Sequence, residues 1–263
     1  MGDDLCMPSF SSSDGVEIYY DLWEAESDLP LVLLHHGFIA DGRSNWVMSG
    51  VVAGLTAAGR RVATIDARGH GRSGKPHDPA LYGESRMAGD VTELLDLLGV
   101  GTVDLAGYSM GAIVALLVAT RDPRVRRLAV GGVGAGVVEL GGLDTRVVGG
   151  ESLLHALRTD DPSTITDRAA AGFRAFVDVM RGDRLALAAQ ALSVHAAPIP
   201  LATIAAPTLV FAGREDPLAA RPEALTGAIP GARLLALAGD HMTALRDPAL
   251  VPSLIAFFTR SPT

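Results

Sequence analysis

Short apolar runs alternate with helical patterns along most of the 263-residue chain. The runs are only a few residues long and are typical of buried strands, whereas the segments between them repeat apolar residues at helical spacing. The predicted strands are 16–20, 31–35, 61–65, 103–106, 128–130, 208–212 and 233–237. The predicted helices are 47–58, 88–98, 112–119, 222–228 and 248–258. This alternation predicts an α/β fold with a mainly parallel sheet of about eight strands and helices on both faces.

The pattern changes after the strand at 128–130. A glycine-rich stretch without a clear period runs to residue 150, and three helical candidates follow at 151–158, 166–180 and 184–194. No strand-like run separates these candidates. We therefore expect residues 133–200 to form an inserted helical cap, with residues 1–132 and 201–263 forming the α/β core.

The glycines at 131–136 also raise the possibility of a dinucleotide-binding turn. Their spacing does not fit that motif, because Val137 stands where its last glycine would be. A flexible hinge that leads into the cap is the preferred interpretation.

A serine at one strand-to-helix junction is the strongest chemical signal in the chain. Ser109 follows the strand at 103–106, precedes the helix at 112–119 and has a glycine two residues away on either side. This G-x-S-x-G pattern is typical of a nucleophile elbow. The turn is so tight that a side chain at Gly107 or Gly111 is expected to collide with neighbouring backbone. The segment predicts a serine hydrolase.

A serine hydroxyl needs a base, and the base needs a group that orients it. In elbow enzymes the acid and then the histidine follow the serine along the chain. Asp216 comes just after the strand at 208–212, and His241 comes just after the strand at 233–237. Glu215 and Asp240 are alternative acids. Asp216 is preferred, because Asp240 is too close to His241 in sequence to face its ring.

These motifs together resemble the α/β-hydrolase family over nearly all of the chain outside the cap. The matching segments are 35–38, 66–74, 107–111, 213–217 and 239–241, in the family's order. The resemblance implies that Ser109 is the nucleophile, His241 the general base and Asp216 the orienting acid. It also implies an oxyanion hole made by the backbone N–H groups of Phe38 and Met110. We expect Phe38, Met110 and Met242 to contact the substrate.

The serine nucleophile argues against the branches of the family that attack with aspartate, which include dehalogenases and epoxide hydrolases. The cap helices are mostly apolar, which favours a modest hydrophobic pocket. We therefore expect hydrolysis of a small to medium apolar carboxylic ester, thioester or lactone through an acyl-enzyme. A carbon–carbon bond hydrolase and a cofactor-free perhydrolase of the same fold are alternatives. A hydrolase-fold ligand-binding protein with slow turnover is the alternative outside enzymes.

The balance of charged residues limits the classes of partner that the protein is expected to bind. The chain has 22 Lys and Arg against 30 Asp and Glu, a formal net charge of −8, which disfavours binding to nucleic acid. Adjacent arginines occur at 60–61 and 126–127, and we expect both pairs at solvated ends of elements. The expected partner is a small-molecule substrate, and the expected state is a monomer or a homodimer.

Localisation is predicted from what the sequence does not contain. No apolar run approaches the roughly 18 residues that a membrane span requires. The acidic N-terminus lacks the apolar core of a signal peptide, and the single cysteine, Cys6, fits a reducing compartment. We expect a cytoplasmic protein that does not bind membranes.

The histidines do not form a metal-binding pattern. His35 and His36 are adjacent on a predicted strand, so their side chains are expected on opposite faces. With His70 and His77 they lack the spacing of a ligand set. No metal and no cofactor is expected.

Overall fold

An eight-stranded sheet organises the protein, for which a computed structural model describes residues 8–147 and 149–259. The strands are β1 (Ser9–Ser11), β2 (Glu17–Trp23), β3 (Leu31–His35), β4 (Val62–Ile65), β5 (Val103–Tyr108), β6 (Val125–Gly131), β7 (Thr208–Gly213) and β8 (Arg233–Leu237). Their order across the sheet is β1-β2-β4-β3-β5-β6-β7-β8. β1 and β2 are antiparallel to their neighbours, and β3 to β8 are parallel. The predicted fold class is confirmed.

Helices cover both faces of this sheet. They are α1 (Val51–Ala57), α2 (Glu84–Leu97), α3 (Met110–Ala119), α4 (Ala135–Leu140), α5 (Gly150–Arg158), α6 (Arg168–Met180), α7 (Arg184–Ala191), α8 (Pro222–Ala228) and α9 (Leu250–Thr259). Alternate residues of β3 point to opposite faces. Leu31 and Leu33 join the core beneath α2, α3 and α8, whereas Val32 and Leu34 join the core beneath α1 and α9. The helix that follows β5, α3, is buried from Met110 to Val118, which explains why its sequence is apolar all round.

The segment between β6 and β7 contains α4 to α7. Buried polar groups attach its end to the start of α2. One carboxylate oxygen of Glu84 accepts the backbone N–H of His195 at 2.6 Å, and the other accepts the side-chain amide of Gln190 at 3.2 Å. The Gln190 carbonyl in turn accepts the N–H of Gly83 at 3.1 Å. The boundaries of a separate cap at 133 and 200 stay a prediction.

The predicted helix at 47–58 begins later than expected. A single π-helical turn occupies Arg43–Val47, and α1 starts only after Gly50, which has a left-handed φ of 82°. The Asp41 carboxylate accepts the N–H of Ser44 at 2.7 Å. The apolar pattern alone predicts one continuous helix here, because hydrophobic spacing does not reveal the left-handed conformation of Gly50 between the two elements.

The expectation of solvated arginine pairs is wrong for three of the four arginines. Arg60 is fully buried, and Arg126 and Arg127 lie within β6 rather than before it. For Arg60 and Arg126 the cause is Asp104, a buried carboxylate on β5. Arg60 donates to it at 2.6 Å, and Arg126 donates to it at 2.9 Å through Nε. Both guanidinium groups also donate to the carbonyl of Phe258 at 2.8 Å, which attaches α9 to the sheet.

Replacing Asp104 with Ala is expected to cost about 3–5 kcal/mol of unfolding free energy, because it leaves buried guanidinium groups without their counter-ion. Urea unfolding followed by circular dichroism measures the loss. Glu24→Ala is the matched control, since it breaks an ion pair of 2.6 Å with Arg61 in which the Glu24 side chain is 63% exposed. Its cost should be below about 1 kcal/mol. Equal losses in the two variants would show that the Asp104 cluster contributes no more than a surface pair.

Candidate active site

The turn between β5 and α3 holds Ser109 in a strained conformation. Its φ is 55° and its ψ is −117°, outside the regions that residues other than glycine ordinarily occupy. The Ser109 N–H donates to the carbonyl of Gly131 on the neighbouring strand at 2.8 Å. Strain of this kind concentrates at functional sites, where the surrounding structure imposes it. The geometry is that of a nucleophile elbow.

The glycines on either side of Ser109 have no room for a side chain. A Cβ on Gly107 would overlap the carbonyl of Gly111, and a Cβ on Gly111 would overlap the carbonyl of His35. Both obstacles are backbone atoms, which cannot move aside without displacing the sheet or the helix. The steric reason for glycine that was predicted from the sequence is confirmed.

Ser109, His241 and Asp216 form a chain of hydrogen bonds. His241 Nε2 lies 3.0 Å from Ser109 Oγ, and His241 Nδ1 lies 2.8 Å from Asp216 Oδ2. The Asp216 side chain is fully buried. Its second oxygen accepts the backbone N–H groups of Leu218 at 2.9 Å and Ala219 at 3.2 Å, which fix the carboxylate. The structure thus brings together the three residues that the sequence singled out.

The alternative acids have other surroundings. Asp240 closes its own turn, where Oδ1 accepts the N–H groups of Met242 and Thr243 at 3.0 Å and the Thr243 hydroxyl at 2.7 Å. Glu215 is exposed to solvent. The carboxylate that contacts the His241 ring is that of Asp216.

Tyr108, which gave no signal in the sequence, contacts both the backbone and the ring of His241. Its hydroxyl donates to the His241 carbonyl at 2.7 Å, and the two ring centroids lie 5.1 Å apart. Burial raises the pKa of Tyr108 well above its usual range, so the hydroxyl remains a donor. A Cβ on Gly132 would lie 3.0 Å from His241 Cε1 and 2.8 Å from the Tyr108 ring. A side chain at position 132 would therefore crowd the His241 imidazole, and glycine avoids this contact.

The segment at 35–38 lies directly against the elbow. A Cβ on Gly37 would lie 3.2 Å from Ser109 Cβ, so the backbone that leads into Phe38 passes beside the serine. Asn45 Oδ1 accepts the Gly37 N–H at 2.8 Å and holds this backbone in place. Asn45 gave no signal in the sequence, because its role depends on the π-helical turn. The N–H groups of Phe38 and Met110 stay predictions as oxyanion donors.

Buried histidines pack beneath this segment. His36 Nδ1 donates to the Gly37 carbonyl at 2.8 Å, while Nε2 accepts the Ala67 N–H at 2.9 Å. Burial lowers the pKa of His35 to about 3 and lowers those of His36 and His70 as well. Both ring nitrogens of His36 are hydrogen-bonded to backbone atoms. Among residues 8–147 and 149–259, no group of three or more potential ligand side chains could hold a metal ion.

An apolar cluster joins the segment at 35–38, the predicted oxyanion segment, to α5, α6 and α7. Its buried members are Ile39, Leu157, Val177, Leu187 and Ala188, and its partly buried members are Phe38, Leu153, Leu154, Phe173, Phe176, Met180 and Ala191. The substrate contacts expected of Phe38, Met110 and Met242 stay predictions. Phe38 is partly buried in this cluster, Met110 is buried at the start of α3, and Met242 is 53% exposed next to His241.

The family model and the named relatives each match less than half of the chain. A family model described as the alpha/beta hydrolase fold matches residues 30–133. The chain is 38% identical over 124 residues to the sn-1-specific diacylglycerol lipase of Danio rerio, in an alignment that covers 46% of this chain and 37% of that one. It is 36% identical over 117 residues to epoxide hydrolase B of Mycobacterium tuberculosis, covering 43% and 32%. The matched part is about a third of the length of these curated relatives.

Solved structures match nearly the whole chain. A hydrolase from Pseudomonas aeruginosa superposes with a TM-score of 0.80 at 28% identity, covering 98% of this chain and 100% of that one. The enol-lactonase from Burkholderia xenovorans superposes with a TM-score of 0.78 at 26% identity, covering 96% and 100%. Within the described residues, no helix is long and apolar enough to cross a bilayer. The fold, the family match and these structures together show that the chain has the α/β-hydrolase fold.

Proposed function

We propose that this protein is a serine hydrolase that cleaves small to medium apolar carboxylic esters, thioesters or lactones through an acyl-enzyme. The observation that carries the proposal is the chain of hydrogen bonds from Ser109 Oγ through His241 to the buried carboxylate of Asp216. Serine at an elbow, a base within hydrogen-bond reach and an orienting acid are the parts that acyl transfer requires.

Acylation begins when Ser109 Oγ attacks the carbonyl carbon of the ester. The serine proton passes to His241 Nε2, and the imidazolium that forms is stabilised by the Asp216 carboxylate. The tetrahedral intermediate then collapses. The bond to the alcohol oxygen breaks, the alcohol takes the proton from His241, and the acyl group remains on Ser109.

Deacylation repeats these steps with water as the nucleophile. His241 removes a proton from the water as it attacks the acyl carbon, and it returns that proton to Ser109 Oγ as the acid leaves. In both halves of the reaction the carbonyl oxygen becomes an oxyanion. The backbone N–H groups of Phe38 and Met110 donate hydrogen bonds to this oxyanion. Each such donor typically stabilises the transition state by about 3–4 kcal/mol.

The apolar cluster around Phe38 supports an apolar acyl or alcohol group. These side chains extend from the oxyanion segment to α5–α7, so a substrate near Ser109 meets aliphatic and aromatic surface. The names of the relatives, a diacylglycerol lipase and an enol-lactonase among them, are compatible with acyl chemistry. Epoxide hydrolysis is not proposed, because the nucleophile position holds serine rather than aspartate.

The test combines turnover with covalent labelling. Wild-type protein should release p-nitrophenol from p-nitrophenyl butyrate, and a fluorophosphonate should modify one residue per chain and abolish that activity. Mass spectrometry of the labelled peptide should place the adduct on Ser109. Labelling at Ser109 without turnover of any ester, thioester or lactone would favour a ligand-binding protein. A fully active, unlabelled protein would contradict the role of Ser109.

A further inference from the structure

We propose that Tyr108 is a positioning residue for the reaction, which holds His241 at the distance from Ser109 that proton transfer requires. This inference rests on the proposed function and deepens it, because it concerns the base of the same site. Tyr108 is the last residue of β5 and directly precedes Ser109. It therefore belongs to the backbone that carries the nucleophile, while its side chain contacts the residue that acts as the base.

The Tyr108 hydroxyl ties the segment that carries the base to the elbow. It donates to the His241 carbonyl at 2.7 Å. His241 lies in the loop after β8, and β8 is separated from β5 in the sheet by β6 and β7. The hydrogen bonds between neighbouring strands therefore do not join β5 to β8 directly. The bond from Tyr108 makes this connection across the two intervening strands.

The hydroxyl is a permanent donor because of its surroundings. Tyr108 is only 3% exposed. Burial raises its pKa well above the usual range, and the charges of Asp216 and Asp240 act in the same direction. The phenol therefore keeps its proton at every pH at which the enzyme is expected to work, and the bond to the His241 carbonyl is retained.

His241 needs such an anchor, because its contact with Ser109 changes during the reaction. Nε2 lies 3.0 Å from Ser109 Oγ, and Nδ1 lies 2.8 Å from Asp216 Oδ2. Nε2 takes up the serine proton and then releases it to the leaving group, so its bond to Oγ is broken and remade in each cycle. The His241 side chain is 18% exposed and is not fully enclosed by its neighbours. A bond to the main chain of His241 is unaffected by these proton transfers.

The Tyr108 ring restricts the imidazole as well. The two ring centroids lie 5.1 Å apart with 32° between the ring planes. The Tyr108 ring also stacks with the ring of Phe211, at 6.1 Å and 22°, within the range in which aromatic pairs attract each other. Phe211 is fully buried in β7. Tyr108 thus connects the imidazole to the packed core of the sheet.

Glycines at the end of β6 make room for these rings. Gly131 pairs with Tyr108 in the sheet, and a Cβ on Gly131 would overlap the Phe211 ring. A Cβ on Gly132 would lie 2.8 Å from the Tyr108 ring. A side chain at either position would displace the stack that reaches His241.

Tyr108→Phe tests the inference, because it keeps the ring and removes only the hydroxyl. kcat for p-nitrophenyl butyrate should fall about threefold to tenfold, the change in rate that corresponds to one neutral hydrogen bond. KM should be unchanged, since His241 is the base in both halves of the reaction and both should slow alike. The rate of fluorophosphonate labelling of Ser109 should fall by a similar factor, because that step also requires His241 to accept the serine proton.

Tyr82→Phe is the matched control. The Tyr82 hydroxyl donates to the carbonyl of Pro76 at 2.6 Å, and Tyr82 is 5% exposed. Each variant therefore loses one bond from a buried tyrosine hydroxyl to a backbone carbonyl, and the two melting temperatures should fall by similar amounts. In Tyr82→Phe, however, kcat and the labelling rate should be unchanged.

The two variants separate positioning from stability. An equal fall in kcat in both variants would overturn the inference, and so would a kcat of Tyr108→Phe within about twofold of wild type. A raised KM with unchanged kcat would also contradict it, because that result indicates a contact with the substrate rather than with the base. If wild-type protein hydrolyses no ester, the proposed function fails, while the labelling rates of the two variants still decide the role of Tyr108.

Discussion

Ser109→Ala should lower kcat for ester hydrolysis by about a millionfold, the loss found when a triad serine is removed from a serine protease. The change deletes only Oγ. Alanine must adopt the same positive φ of 55°, and the strain is similar because both residues have a Cβ and no branch beyond it. The protein should therefore remain folded, with an unchanged circular dichroism spectrum.

The control for this variant is Ser85→Ala. Ser85 is exposed on α2, and the same change there should leave kcat unaltered. Residual activity in Ser109→Ala of about a thousandfold or more over water is expected, because the oxyanion donors and substrate binding remain. Retention of wild-type activity would remove Ser109 from the mechanism.

Asp216→Asn should lower kcat by about 10,000-fold while the local geometry persists. The amide is close to isosteric with the carboxylate, but it has no charge to stabilise the imidazolium, and an N–H turned towards His241 Nδ1 selects the wrong tautomer. The rate should be measured with p-nitrophenyl butyrate across a pH series. The fold should be checked by urea unfolding.

The two other carboxylates near His241 provide matched controls. Asp240→Asn perturbs a turn that Asp240 closes with Thr243, and Glu215→Gln changes an exposed side chain. Each should alter kcat by less than a few-fold. A loss in Asp240→Asn as large as that in Asp216→Asn would mean that the acid has been assigned to the wrong residue.

The sequence was sufficient for those parts of the site that depend on local sterics and chain order. The elbow glycines could be predicted, because two nearby backbone segments leave no room for a Cβ. Asp216 and His241 could be predicted, because the ends of parallel strands meet at one edge of the sheet.

Long-range polar contacts could not be predicted in this way. Asp104 unites Arg60, Arg126 and the carbonyl of Phe258, groups that are far apart in the chain and share no periodic signal. From the sequence alone, arginines of such a cluster cannot be distinguished from surface arginines, because the sequence does not show which carboxylate lies beside them.

Burial makes the charge of three imidazoles beside the oxyanion segment insensitive to mild acid. His35, His36 and His70 have lowered pKa values, so they stay uncharged from neutral to mildly acidic solution. Their contribution to the electrostatic field around the developing oxyanion is then constant across that range. These buried rings act as fixed dipoles, not as buffers.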